Sequence, residues 1–372
     1  MAIFETKAID ALFQFQSYNA QCESNFWWTN VIKRLWSYRR EMAAAALQWS
    51  GIARLFESLA RPTGAIVLMY HSVADDHATE FIDPPNRLSP KLFERQMAFL
   101  SKYRRVVPLS EVVHQITKGT SPSAGTVCIT FDDGYLDNLT IAAPILEKYK
   151  LPATLFLATG YIERGESQWA DVLFCVLRRR TVDKLRIASL ASREIILTSE
   201  TSCKAVRTML HRLLLEGTNQ ERAQLLREIE RQLKPKLHVP RLTLNWDDVR
   251  ELRRRYPFFE IGGHTRDHID LRTQRGGIAR SEIRGCADDL RRELSVEPQH
   301  FSFPYGRWCP ETREIVVASG WQSAVATGSN VRIGQASDKF AMPRVDAPRM
   351  MTDFRFKTSG AYPGVFAMLG LS

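Results

Sequence analysis

Thr126-Val127-Cys128-Ile129-Thr130-Phe131-Asp132-Asp133-Gly134 sets two carboxylates directly after a largely apolar, β-branched run, and just before a glycine able to turn the chain. Three other stretches repeat the arrangement of strand first and polar groups after it. They are Ile66-Val67-Leu68-Met69-Tyr70-His71, Phe258-Phe259-Glu260-Ile261-Gly262-Gly263-His264 and Phe301-Ser302-Phe303-Pro304-Tyr305-Gly306. Strand-like runs at 66–70, 126–131, 153–157, 258–261, 300–303, 322–326 and 340–345 alternate with helical stretches, the signature of an α/β fold. In a barrel of parallel strands the carboxyl ends share one face, and that face carries the active site. Four polar clusters distant in sequence are therefore expected to converge.

The helices between these strands carry their own punctuation. Ser89 before Pro90 reads as an N-cap with proline in the first turn, Ser110 precedes a helix that Gly119 ends, and Gly320 closes a helix opened near Pro310. Asn245 is placed to cap the helix beginning Trp246-Asp247-Asp248. Between about 161 and 244 the strand rhythm lapses into charge-rich helical sequence, such as 206–216 and 221–233, which reads as an insertion between two strands. Residues 1–62 differ in character, being rich in aromatics and alanine, and read as a helical N-terminal extension to a domain spanning 63–372. Within that extension Trp27, Trp28, Val31, Ile32, Leu35 and Trp36 fall near helical spacing among Lys33, Arg34, Arg39 and Arg40. The pattern suits either an interfacial helix in peripheral contact with a membrane or a helix packed on the main domain. Met42 is an alternative initiator to Met1.

At 372 residues, with 44% hydrophobic and 25% charged residues, the chain lies in the ordinary globular range. Fifty-one lysines and arginines against 41 acids give a net charge of +10, a balance that favours anionic partners. The excess is diffuse, and neither zinc-finger spacing nor an RNA-recognition aromatic motif accompanies it, so nucleic acid is not an expected partner. Six scattered cysteines without a C-x-x-C pair fit a reduced, cytoplasmic-type chain, and Cys128 reads as a buried thiol within a strand. The N-terminus lacks the basic and apolar regions of a signal peptide, and no apolar run approaches the ~20 residues of a membrane span. The expected location is cytoplasmic, with peripheral contact at the inner membrane face as its variant.

The chemistry rests on two acids and two imidazoles. His264 and His268 stand at i and i+4 in His-Thr-Arg-Asp-His, which puts both rings on one face if the segment begins a helix. Two imidazoles and a carboxylate make a three-donor set with open positions, the pattern of a catalytic metal site. Surface or capping histidines and loop aspartates produce the same letters, but here both groups follow strands. Consecutive side chains point in different directions, so one aspartate can hold an ion while the other takes the proton of an attacking water.

Thr130-Phe131-Asp132-Asp133-Gly134, His264-Thr265-Arg266-Asp267-His268 and Phe303-Pro304-Tyr305-Gly306 together resemble the first three motifs of the polysaccharide deacetylase family, the NodB homology domain or carbohydrate esterase family 4. The resemblance spans roughly residues 65 to 346, apart from most of the insertion. It implies a distorted (β/α) barrel of about seven parallel strands. It also implies a hydrolase that removes the acetyl group from an N-acetylhexosamine in an oligo- or polysaccharide. In its terms Asp132 is the general base, and Asp133, His264 and His268 hold a divalent metal, Zn²⁺ first, with Co²⁺, Ni²⁺ or Mn²⁺ as alternatives. Pro304 and Tyr305 face the substrate, with the Tyr305 backbone N–H near the oxyanion.

Two positions depart from the family pattern. Ser302 stands where an arginine often steadies the base, and Arg344, in Met342-Pro343-Arg344-Val345-Asp346, stands where a histidine usually serves as general acid. Arg344 is expected to orient the base or the substrate, and His71 is the candidate replacement acid. Trp169 is a candidate sugar-stacking ring or a core residue, and Trp321 reads as core. Two other functions stay open: a related amide hydrolase acting on a non-sugar substrate, and a sugar-binding protein of weakened activity.

Overall fold

A computed structural model describes residues 63–75, 81–187, 194–274, 276–328 and 332–359. The N-terminal extension, with its aromatic stretch at 27–40 and Met42, lies outside the described residues.

Seven strands form the frame: β1 (Ala65–Tyr70), β2 (Thr126–Phe131), β3 (Ala153–Leu157), β4 (Phe259–Gly263), β5 (His300–Ser302), β6 (Ser323–Thr327) and β7 (Met342–Asp346). Each runs parallel to the next, and β7 returns to β1 through Leu68↔Val345 and Met69↔Asp346, so the sheet closes on itself. Each expected strand is present, with bounds no more than two residues from those read in the sequence. Closure explains the lack of apolar-polar alternation in β2 and β3, whose residues are all buried, one face lining the barrel and the other meeting helices. Thr126, Cys128, Thr130 and Asp132 share one face of β2 by the two-residue period, and Cys128 is fully buried as expected.

The helices are α1 (Pro90–Tyr103), α2 (Leu109–Thr117), α3 (Ala143–Tyr149), α4 (Thr159–Arg164), α5 (Trp169–Arg179), α6 (Glu200–Glu216), α7 (Asn219–Leu233), α8 (Trp246–Arg255), α9 (Gly276–Leu294), α10 (Pro310–Ala318) and α11 (Met351–Lys357). Ser89 caps α1, and Asn245 caps α8 reciprocally with Asp248. Ser110 is not a cap. It lies inside α2, whose first amides, those of Leu109 and Ser110, donate to the Glu260 carboxylate arriving from β4.

Among the described residues, Trp169–Pro240 form a compact unit of their own, and the barrel unit holds residues 63–168 and those from Arg241 onward. The insertion is not purely helical. Between α5 and α6 it carries an antiparallel pair, Lys184–Arg186 with Glu194–Ile196. Leu173, Val176, Leu185, Leu210, Leu214, Ile229 and Leu233 are among its buried apolar residues. No helix among the described residues is long and apolar enough to cross a membrane.

Candidate active site

Asp132 and Asp133 leave β2 in different environments. The Asp132 amide donates to the Tyr70 carbonyl at 2.9 Å, which continues the β1–β2 ladder one residue past the strand. Its side chain therefore stays on the barrel side. Asp133 takes a left-handed backbone (φ 72°) and Gly134 another (φ 73°), which turns the second carboxylate away from the first. An L-residue in that region costs about 1–2 kcal/mol, so the turn persists only because its surroundings hold it.

Arg344, from the middle of β7, grips Asp132 with both arms, Nη1 to Oδ1 at 2.7 Å and Nη2 to Oδ2 at 2.6 Å. The same guanidinium reaches Thr130 Oγ1 at 3.2 Å and Ser302 Oγ at 2.7 Å, and Ser302 Oγ lies 3.3 Å from Asp132 Oδ2. Burial works to raise the Asp132 pKa, but Arg344, helped by His264 and His71, outweighs it and holds the carboxyl well below the ordinary range. This corrects the substrate-binding expectation for Arg344. Its side chain is fully buried and both Nη groups are committed to Asp132, Thr130 and Ser302, so of the two expected roles it takes that of orienting the carboxylate.

The two histidines are not on a helix. The segment from His264 to His268 is an irregular turn with left-handed backbone at Thr265 (φ 63°) and His268 (φ 49°). It is pinned by the His264 amide to the Leu157 carbonyl at 2.8 Å, and by the Arg266 and Asp267 amides to the Glu282 carboxylate at 2.9 and 2.8 Å. The rings nevertheless meet, with centroids 4.8 Å apart. His264 Nδ1 lies 2.7 Å from the Ser302 carbonyl, a group that only accepts, so the ring proton sits on Nδ1 and the Nε2 lone pair faces the aspartates. Burial pushes the His264 pKa down to about 4 against the pull of Asp132, which keeps this imidazole neutral near pH 7.

Asp133 Oδ1 lies 3.3 Å from His268 Nε2 and 3.8 Å from His264 Nε2, and one donor atom from each of the three falls within 4.8 Å of the others. An ion held tetrahedrally at about 2.1 Å would set its ligands about 3.4 Å apart, so the trio fits a small divalent cation. The lone-pair orientation of His264 fits it as well.

The other predicted residues fall as follows. The His71 backbone carbonyl accepts from Asn138 Nδ2 at 2.8 Å, and burial lowers the pKa of its imidazole, with Asp132 pulling the other way. Pro304 is buried, and Tyr305 has a left-handed backbone (φ 58°) with its hydroxyl 3.1 Å from His268 Nδ1. Trp321 is core, its ring 5.2 Å from that of Phe301. Trp169 is buried within the insertion, its ring 4.8 Å from His211 and beneath the Arg222 guanidinium. It offers no open face to a sugar, which corrects the stacking expectation in favour of packing. Its neighbour Gln168 was not foreseen. Gln168 Nε2 donates to Asp133 Oδ1 at 3.4 Å, and nothing in its sequence surroundings marks it out.

Among solved structures, the chain is similar to the Streptococcus pyogenes deacetylase PplD in complex with acetate. That match has a TM-score of 0.53 and 17% identity, and covers 80% of this chain and 99% of that one. It is also similar to IcaB from Ammonifex degensii, with a TM-score of 0.52 and 17% identity, covering 80% and 98%. At these identities the likeness concerns the fold alone. A curated relative, YxkH of Bacillus subtilis (strain 168), is 36% identical over 99 residues, 26% of this chain, and the chain spans about a third (33%) of that relative's length. The family model described as polysaccharide deacetylase matches residues 119–324, more than half of the sequence and the part that carries both aspartates, both histidines and Pro304-Tyr305-Gly306, so the chain belongs to the polysaccharide deacetylase family.

Proposed function

We propose that the chain is a metal-dependent carbohydrate N-deacetylase, hydrolysing the acetamido group of an N-acetylhexosamine within an oligo- or polysaccharide. The observation that carries this reading is the division between adjacent carboxylates. Asp132 is clamped and ionised by Arg344, while Asp133 faces the Nε2 atoms of two imidazoles. Asp133, His264 and His268 would hold the ion, Zn²⁺ by preference for a set of two nitrogens and one oxygen. When bound there, such an ion supplies Lewis acidity towards a water and an acetyl carbonyl oxygen. Asp132 takes the proton of the attacking water, and Arg344 and Ser302 keep its carboxylate aimed and charged. The Tyr305 backbone N–H is the proposed oxyanion donor. His71 is the proposed donor of the proton that lets the sugar amine leave.

A sugar-binding protein of weakened activity drew its support from Ser302 and Arg344 as departures from the family pattern. The geometry weakens that support, because Arg344 on β7 supplies the bidentate partner that Ser302 on β5 lacks, and Ser302 bridges the two groups. The test is metal analysis of the purified protein with an acetate-release screen over chitooligosaccharides, peptidoglycan fragments and bacterial exopolysaccharides. Release that stops on chelation, returns with Zn²⁺ and is absent in Asp132→Asn supports the reading. Release indifferent to chelation, or none from any glycan by the metal-loaded protein, overturns it.

A further inference from the structure

His264 and His268 are oriented by different kinds of partner. His264 Nδ1 meets a main-chain carbonyl, which can only accept, so its tautomer is dictated by the backbone. His268 Nδ1 instead meets the Tyr305 hydroxyl at 3.1 Å, a group that can donate or accept. If the hydroxyl donates, the imidazole proton sits on Nε2, points at Asp133, and the ring cannot bind a cation. If it accepts, the proton sits on Nδ1 and the Nε2 lone pair joins the donor trio.

Two further features keep the phenol in place. Tyr305 and His268 both hold left-handed backbones (φ 58° and 49°), and these bring their rings to a centroid distance of 4.7 Å. The guanidinium of Arg307 lies 5.9 Å over the Tyr305 ring and is tied by Nη1 to Asp270 Oδ2 at 2.8 Å. Asp270 is buried, at 1% exposure, and its other oxygen accepts from the Arg272 amide at 2.9 Å. A buried carboxylate thus anchors an arginine, the arginine covers a phenol, and the phenol meets the more exposed of the two histidines, whose side chain is 13% exposed against 2% for His264.

We propose that the Tyr305 hydroxyl, braced by Asp270 and Arg307, is the positioning group that accepts the Nδ1–H of His268 and so makes His268 a ligand through Nε2. This rests on the reading of Asp133, His264 and His268 as a divalent-cation site. It adds a side-chain role to a residue whose backbone N–H has the separate proposed task of stabilising the oxyanion. In the accepting role the hydroxyl's own proton is directed away from His268.

The test uses the full chain carrying Tyr305→Phe, which removes one oxygen and leaves the ring and the backbone. Zn²⁺ affinity, read by competition with a chromophoric chelator, is expected to fall roughly 10–100-fold, the usual cost of losing the partner of a ligating histidine. The thermal unfolding midpoint should stay near wild type, and Arg307→Gln should weaken Zn²⁺ only a few-fold. Nitrogen-15 spectra of the histidine rings without metal provide a second readout, with His268 on the Nδ1–H tautomer in wild type and shifted towards Nε2–H in Tyr305→Phe. Zn²⁺ affinity within twofold of wild type, or an unchanged His268 tautomer, overturns the proposal. Asp133→Asn separates the two claims. If it binds Zn²⁺ as well as wild type, the cation-site reading falls, while the tautomer measurement still decides the role of Tyr305.

Discussion

Arg344 and Asp132, 212 residues apart in sequence, form a two-armed buried ion pair with N–O distances of 2.7 and 2.6 Å, and neither side chain is more than 3% exposed. A carboxylate so enclosed would ordinarily hold its proton and be useless as a base. The fork of Arg344 reverses that preference and fixes both oxygens in one plane. Its position on β7 makes the proposed base depend on closure of the barrel, because the β7–β1 seam sets Arg344 beside the end of β2.

Arg344→Met should therefore damage both stability and rate. Removing one partner leaves a buried, uncompensated charge, which costs about 3–5 kcal/mol. The Asp132 carboxyl, freed from the arginine and left with burial, should rise in pKa, and the acid limb of the rate profile should move to higher pH. For wild type the sign is the ordinary one for a depressed carboxyl. The ion pair stabilises fully above the unfolded pKa near 4, and its contribution is lost as the pH falls from there through the lower folded value. Urea unfolding with acetate-release profiles checks this, and the double variant Asp132→Asn, Arg344→Met should regain stability without regaining activity. A single variant as stable as wild type would show the pair to be dispensable.

The frame of the site was legible in the sequence because its signals are local. Six-residue runs such as 126–131 declare a strand, and the polar residues just after them declare the catalytic rim. Arg344 as the partner of Asp132 was legible only as one of two alternatives, base or substrate, since a pair between β2 and β7 leaves no trace in the spacing of either strand. The helix that would put His264 and His268 on one face, stated only as a condition, is absent at 264–268 for a similar reason. Glu282 on α9 satisfies the amides of Arg266 and Asp267, so the turn has no need of helical hydrogen bonds. Ser110 misled because Glu260 on β4 already serves the amides at the start of α2. In each case a contact from a distant element overrode a local preference.

His71→Gln should lower kcat by about 100-fold or more with little change in KM, the pattern of a lost proton-transfer group that does not bind the ground state. Burial and Asp132 act on this imidazole in opposite directions, so its charge answers to the state of the Asp132 carboxyl. Steady-state kinetics on a soluble N-acetylglucosamine oligomer decides it. Unchanged kcat in His71→Gln, beside complete loss in Asp132→Asn, would assign the acid elsewhere.

Asp137 gives the loop that carries His71 a pH-dependent fastening. Its Oδ2 accepts from Ser72 Oγ at 2.5 Å and its Oδ1 from the Val73 amide at 2.9 Å, yet burial pushes its pKa up to about 6 in spite of both bonds. A carboxyl raised in the fold contributes stability below its unfolded pKa near 4, and that contribution is lost as the pH climbs through 6, by about 3 kcal/mol at most. His264, held down to about 4, works in the opposite direction over the same range, so the readout must be the difference between two proteins. Asp137→Asn should lose stability less steeply than wild type between pH 4.5 and 7 in urea titrations. Parallel curves would mean that Asp137 does not titrate in that window.

Gly263 tests how closely the barrel wall governs the donor trio, because it immediately precedes His264 and sits where β4 faces the core. A Cβ there would lie 2.4 Å from the Trp321 ring and 2.6 Å from Cys286 Sγ, both buried and neither able to move into solvent. Gly263→Ala is therefore an overpacking change, with an expected loss of about 1–3 kcal/mol. Any backbone movement that relieves it shifts His264, whose Nδ1 bond to the Ser302 carbonyl is only 2.7 Å long. Zn²⁺ affinity and acetate release should fall together with the unfolding midpoint. Shrinking the wall by Trp321→Leu in the Gly263→Ala background should recover part of both losses, since residues in contact do not add independently. Recovery of stability without recovery of Zn²⁺ binding would mean that the glycine is required for packing and not for aiming His264.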